Sequence, residues 1–146
     1  MSKLIRWDTP FTEAFYPLVA LMATILPSIV GNVDNLKVVV DPHEKEFPKC
    51  LVDFGNVLAF TCMDEACCPE RDFPEVPVEV GRTCAYQYID SPWLKSYEGC
   101  HDPDAEGKFS HYLIVGGDRI IEIITQNAPI IRTLKQKETL IIKFET

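Results

Sequence analysis

The residues with the most chemistry in this 146-residue chain are six cysteines and three histidines. Cys62, Cys67 and Cys68 fall together in the run Thr61-Cys62-Met63-Asp64-Glu65-Ala66-Cys67-Cys68. Four residues separate Cys62 from Cys67, the wide end of the spacing that holds zinc. Zinc takes a soft tetrahedral set, and Cys84, or Cys100 with His101, would complete one from another loop. Cys62, Cys67, Cys68 and His101 are therefore the candidate metal ligands. Against them stands the absence of any C-x-x-C pair. The competing reading makes Cys50, Cys62 and Cys84 small core residues on strands and Cys67-Cys68 loop thiols.

Nucleophilic catalysis needs a cysteine or serine, a base and a group that orients the base. His43 lies beside Glu44 and Glu46, His101 follows Cys100, and His111 stands at the start of an apolar run. None sits in a nucleophile motif, so no catalytic residue is assigned. The plain reading of His111 is a strand residue bonded to a neighbouring loop. Gly116-Gly117 reads as a turn, because no helix and no lysine-serine pair follows it.

The carboxylates are concentrated. Asp64, Glu65, Glu70, Asp72, Glu75 and Glu79 crowd one loop, and Asp102, Asp104 and Glu106 crowd another. Neither spacing is that of a calcium loop. The net charge is −8, from 22 acidic and 14 basic residues. Nucleic acid and anionic lipid would be repelled, whereas a basic protein partner would be attracted. If both loops project from one end of a sheet, Asp64, Glu65, Glu70, Asp72, Asp102 and Asp104 make an acidic contact surface. Trp93 is counted with that surface; Trp93 and Tyr97, four apart on a short helix, stack on one face, an arrangement more often core than ligand pocket. No cofactor is indicated.

The elements that must position these groups begin with residues 14–30, an uncharged stretch interrupted by Pro17 and Pro27. It is short for a membrane span, and Asp8 and Glu13 before it do not suit a secretory signal. The spacing of Phe11, Phe15, Leu18, Met22, Ile25 and Ile29 predicts a long core helix from about Pro10 to Leu26, capped by Thr9. A cytoplasmic protein with reduced thiols follows. Further on, Leu36 to Val40 and Thr83 to Ile89 read as strands. Cys50 to Phe54 and Val57 to Cys62 read as a hairpin around Gly55-Asn56. Ser91-Pro92 opens a short helix over about 91–98. His111 to Val115 and Arg119 to Thr125 form a hairpin, and Ile130 to Leu134 pairs with Thr139 to Phe144. The expected fold is one α+β domain over residues 1–146. In it an antiparallel sheet of about five to seven strands is covered on one face by the N-terminal helix.

Three stretches carry a resemblance: Asp53-Phe54-Gly55-Asn56-Val57-Leu58-Ala59-Phe60, Ser91-Pro92-Trp93-Leu94, and His111-Tyr112-Leu113-Ile114-Val115 with Ile121-Glu122-Ile123-Ile124. They resemble small bacterial proteins, some of which are immunity proteins of polymorphic toxin systems. That resemblance implies a cytoplasmic bacterial protein that acts by binding, and it supplies no catalytic residue. The leading expectation is a non-catalytic binding protein. Its alternatives are a metal- or thiol-dependent enzyme using Cys62, Cys67 and Cys68, or a small-molecule-binding domain.

Overall fold

The long helix is not there. A computed structural model describes residues 2–14, 17–24, 33–64, 81, 83–97, 108–117 and 119–134, and these are almost entirely β. The strands are β1 (Lys3–Arg6), β2 (Leu18–Thr24), β3 (Val33–Asp41), β4 (Cys50–Val57), β5 (Ala59–Asp64), β6 (Ala85–Ile89), β7 (Ser110–Val115), β8 (Arg119–Thr125) and β9 (Ile130–Thr133). Among the described residues the one helix is α1 (Pro92–Lys95). One antiparallel sheet runs β1-β6-β7-β8-β5 and the other β2-β3-β4-β9.

Leu18–Thr24 was expected inside the helix and is instead an edge strand paired with β3, Leu18 opposite Asp41 and Leu21 opposite Val38. The physical reason is that an uncharged run has no period. A helical face can be drawn through it, and so can a strand buried on one side. Here β3, rich in valine, supplies the pairing partner that decides. Thr9-Pro10 starts a turn instead of a helix: Thr12 N–H donates to Thr9 O (3.3 Å) and Ala14 N–H to Phe11 O (2.9 Å). The Thr12 hydroxyl donates to Trp7 O at 2.6 Å and closes that turn.

The two sheets pack face to face. Val19, Val38, Val40, Cys50, Val52 and Phe54 from one meet Ala85, Tyr112, Ile114, Ile121 and Ile123 from the other, with Phe11 and Trp7 filling the seam. Trp7 lies 4.8 Å from Tyr112 and 6.1 Å from Phe54, ring centre to ring centre, so aromatic packing bridges both layers. Each such side chain contributes about 2 kcal/mol by leaving water.

The expected hairpin around Gly55-Asn56 is also corrected. β4 pairs with β3 and β9, whereas β5 pairs with β8 in the other sheet. The chain changes sheets at Leu58, whose N–H donates to Ile124 O at 2.9 Å. Gly55 sits at φ 63° inside β4, with its N–H held by Asp53 Oδ1 at 2.9 Å. Glycine supplies that left-handed conformation for a bend rather than for a turn. β9 pairs with β4, and its expected partner 139–144 lies outside the described residues.

The β7–β8 hairpin, β3 and β6 form where expected. At the hairpin tip Gly117 N–H donates to Pro17 O (2.9 Å). A Cβ on Gly116 would stand 2.8 Å from Pro17 O and 2.9 Å from Val19 Cγ2, so only glycine allows the tip to seat on the other sheet.

Candidate functional site

Alternation along β7 and β8 sends Tyr112, Ile114, Ile121 and Ile123 into the core between the sheets. It sends His111, Leu113 and Glu122 to the outer face of the five-stranded sheet. In register Glu122 lies opposite Leu113 on one side and Thr61 of β5 on the other, and His111 lies opposite Ile124. His111 and Glu122 are thus diagonal neighbours, within reach of long side chains.

They are bonded. His111 Nε2 is 2.9 Å from Glu122 Oε1, and the Thr61 hydroxyl donates to Glu122 Oε2 at 3.3 Å. On the other side of the ring, Ser91 Oγ is 2.7 Å from His111 Nδ1 and accepts the Leu94 N–H at 3.0 Å. The backbone amide leaves the Ser91 hydroxyl proton one acceptor, Nδ1. The arrangement that satisfies every group is therefore Ser91 O–H to Nδ1 and Nε2–H to the Glu122 carboxylate. Ser91, His111 and Glu122 are 0%, 2% and 1% exposed.

The chain is shaped to make this row. Asp90, at φ 53°, turns sharply out of β6, and its carbonyl accepts the Ser2 hydroxyl at 2.6 Å. Ser91 then caps α1 with Pro92 at the first position, as the sequence predicts. Residues 90–97 lie as a strap over the outer face. Trp93 meets the His111 ring edge-on at 5.3 Å, and Tyr88 of β6 stacks on it at 5.2 Å and 17°.

Serine, histidine and a carboxylate in a bonded row have the composition of a hydrolytic relay. Here the serine oxygen is fully buried and occupied by a backbone amide, and a nucleophile must be reachable by its substrate. The arrangement does a different job: it satisfies three buried polar groups and fastens the strap to the sheet. The reading of His111 as a strand residue bonded to a neighbouring segment matches. Glu122 was missed. Its signal was one carboxylate inside Ile-Ile-Glu-Ile-Ile, because an acid buried within a strand must have partners.

Cys50 and Cys84 are buried in the core, and burial pushes the Cys50 thiol up. The Cys84 thiol donates to Phe11 O at 3.3 Å. Cys62 is partly exposed on β5, with Arg119 Nη1 4.0 Å from its sulfur. Among the described residues no group of three His, Cys, Asp or Glu could hold a metal ion. The remaining proposed ligands, Cys67, Cys68 and His101, lie outside the described residues.

Of the proposed contact residues, Asp64 ends β5 and Trp93 stands on α1, whereas Glu65, Glu70, Asp72, Asp102 and Asp104 lie outside the described residues. Asp64 is opposite Arg119 at the start of β8, and His111, under Trp93, is opposite Ile124 near its end. Five residues of strand span about 17 Å. The first acidic segment leaves the sheet at Asp64, by the hairpin tip. The second leaves the strap at Tyr97 and rejoins ahead of Ser110, at the other end. Their attachment points are therefore at opposite ends of the sheet, not at one.

The chain matches no family model, no curated protein and no solved structure. No helix among the described residues is long and apolar enough to cross a membrane.

Proposed function

We propose that this chain is a non-catalytic binding protein whose partner is a basic protein, in line with the immunity-type resemblance. The observation that carries this reading is where the charge lies. Residues 64–79 hold six acids and one arginine, and residues 90–107 hold five acids and one lysine. The rest of the chain has eleven acids and twelve bases. The whole excess of −8 therefore belongs to two segments that leave the ends of one sheet. A field concentrated in that way steers a cationic partner and speeds its association. Cys50, Cys62 and Cys84 are thiols and not disulfides, which fits a reducing, cytoplasmic setting.

The test is association with a purified partner recovered by cross-linking in the native host. The expected result is a one-to-one complex with a basic protein, weakened at least tenfold when ionic strength rises from about 0.01 M to 0.15 M, as the screening length shortens. A complex indifferent to salt, or formed with an acidic protein, overturns the reading.

A further inference from the structure

We infer that two copies of this chain form a two-fold dimer through the outer face of the four-stranded sheet. This goes beyond the binding reading, which concerns segments leaving the other sheet. Alternation sends Val19, Val38, Val52 and Ile131 inward to the core. It leaves the even positions of β2 and β9 and the odd positions of β3 and β4 outward. Among the described residues two large apolar side chains stand exposed, Leu18 at 43% and Ile130 at 72%. Both belong to this face, at opposite corners: Leu18 is opposite Asp41 on β3, and Ile130 is opposite Asp53 on β4. Between them Val39 pairs with Leu51, and Leu134 packs with both.

Charge selects a second copy as the occupant. Lys37 is opposite Asp53 in register, and Lys49 Nζ lies 3.6 Å from Asp41 Oδ2. Lys37 precedes Val39 and Asp41 follows it, whereas Lys49 precedes Leu51 and Asp53 follows it. The four charges therefore surround the Val39–Leu51 pair with signs that alternate from corner to corner. Turned over about an axis along the strands, the face sets Lys37 on Asp53 and Asp41 on Lys49 of the second copy. Turned over about an axis across the strands, it sets Lys37 on Asp41 and Lys49 on Asp53. Either two-fold brings unlike charges together, which is the self-complementarity an isologous contact demands. A partner of one sign meets as much repulsion as attraction at those four corners.

The geometry suits a weak dimer. Sheets pack face to face with their strands within about 30° of alignment, which both axes allow. Four strands spaced about 4.8 Å apart make a narrow face. It falls short of the roughly 800 Å² per partner of a standard interface, so a Kd on the order of 10–100 μM is expected.

The test is sedimentation velocity of the full chain across that concentration range and about tenfold to either side of it. Lys37→Glu and Lys95→Glu change the net charge equally, the first on this face and the second on α1, where Lys95 is exposed. The expected result is a reversible monomer–dimer equilibrium. Lys37→Glu should raise Kd about tenfold or more, because the two-fold repeats the altered contact, while Lys95→Glu stays within about twofold. Ile130→Lys, at an exposed position that the fold does not depend on, should raise Kd about fivefold or more. Should Lys37→Glu fail to fold, Lys49→Glu makes the same comparison. A monomer at every concentration leaves the face to a different occupant and overturns the proposal. So does an assembly that grows past two copies, or a dimer that tolerates Ile130→Lys or the face lysine variant as well as it tolerates Lys95→Glu.

Discussion

The two faces of the five-stranded sheet are both buried, but by different means. The inner face of β8 carries Ile121 and Ile123 against the valines of the other sheet, and volume alone decides the fit. The outer face carries Glu122, and the strap above it is fixed by directed bonds to His111 and Ser91. Apolar packing is strong and non-directional, and tolerates exchange of similar shapes. A buried polar row is conditional: complete, it orients a short segment that could not hold itself, and incomplete, it is costly. Neighbouring residues on one strand thus serve stability on one side and geometry on the other.

That contrast can be broken by paired variants. Ile123→Ala should cost about 4 kcal/mol in chemical denaturation, since it leaves a cavity in a core that cannot collapse. Glu122→Leu should cost about 3 kcal/mol, because His111 keeps a buried donor with no acceptor. Adding His111→Phe to Glu122→Leu should restore most of that loss, a recovery that no second change beside Ile123 would produce. If the double variant were as weak as the sum of the singles, the row would not be one unit. At the hairpin tip Gly116→Ala should cost about 2 kcal/mol, as its Cβ meets Pro17 O, and the loss should appear as a lowered Tm. The smallest effect lies at high pH. Burial raises the Cys50 thiol, so the folded protein holds that proton where the unfolded chain has released it. Stability then falls as pH rises past the ordinary thiol range. Cys50→Ala should lower stability overall but flatten that alkaline decline, and an unchanged slope would contradict the assignment.

The sequence was legible where local chemistry is decisive. Ser91-Pro92 marked the helix start, Gly116-Gly117 the turn, and the β-branched runs of β3 and β8 their strands. It misled where partners decide. Leu18 to Thr24 has no charge to impose a period, and its strand state depends on β3, which the chain reaches only later. Gly55-Asn56 has the composition of a tight turn, yet the strands beside it pair with β3, β9 and β8 rather than with each other. The polar row was hidden for the same reason. Ser91, His111 and Glu122 are twenty and eleven residues apart. The register of β7 on β8 brings Glu122 to His111, and the pairing of β6 on β7 with the turn at Asp90 brings Ser91 there.

The central claim is that this row exists to hold the strap. It is tested most directly by amide hydrogen exchange in the wild type and in Ser91→Ala. The account predicts that Leu94, Lys95, Ser96 and Tyr97 exchange at least fivefold faster in the variant, the equivalent of about 1 kcal/mol for a lost cap. The amides of β7 and β8 should keep their protection. Unchanged exchange in the strap, or an equal loss of protection throughout the sheet, would contradict it.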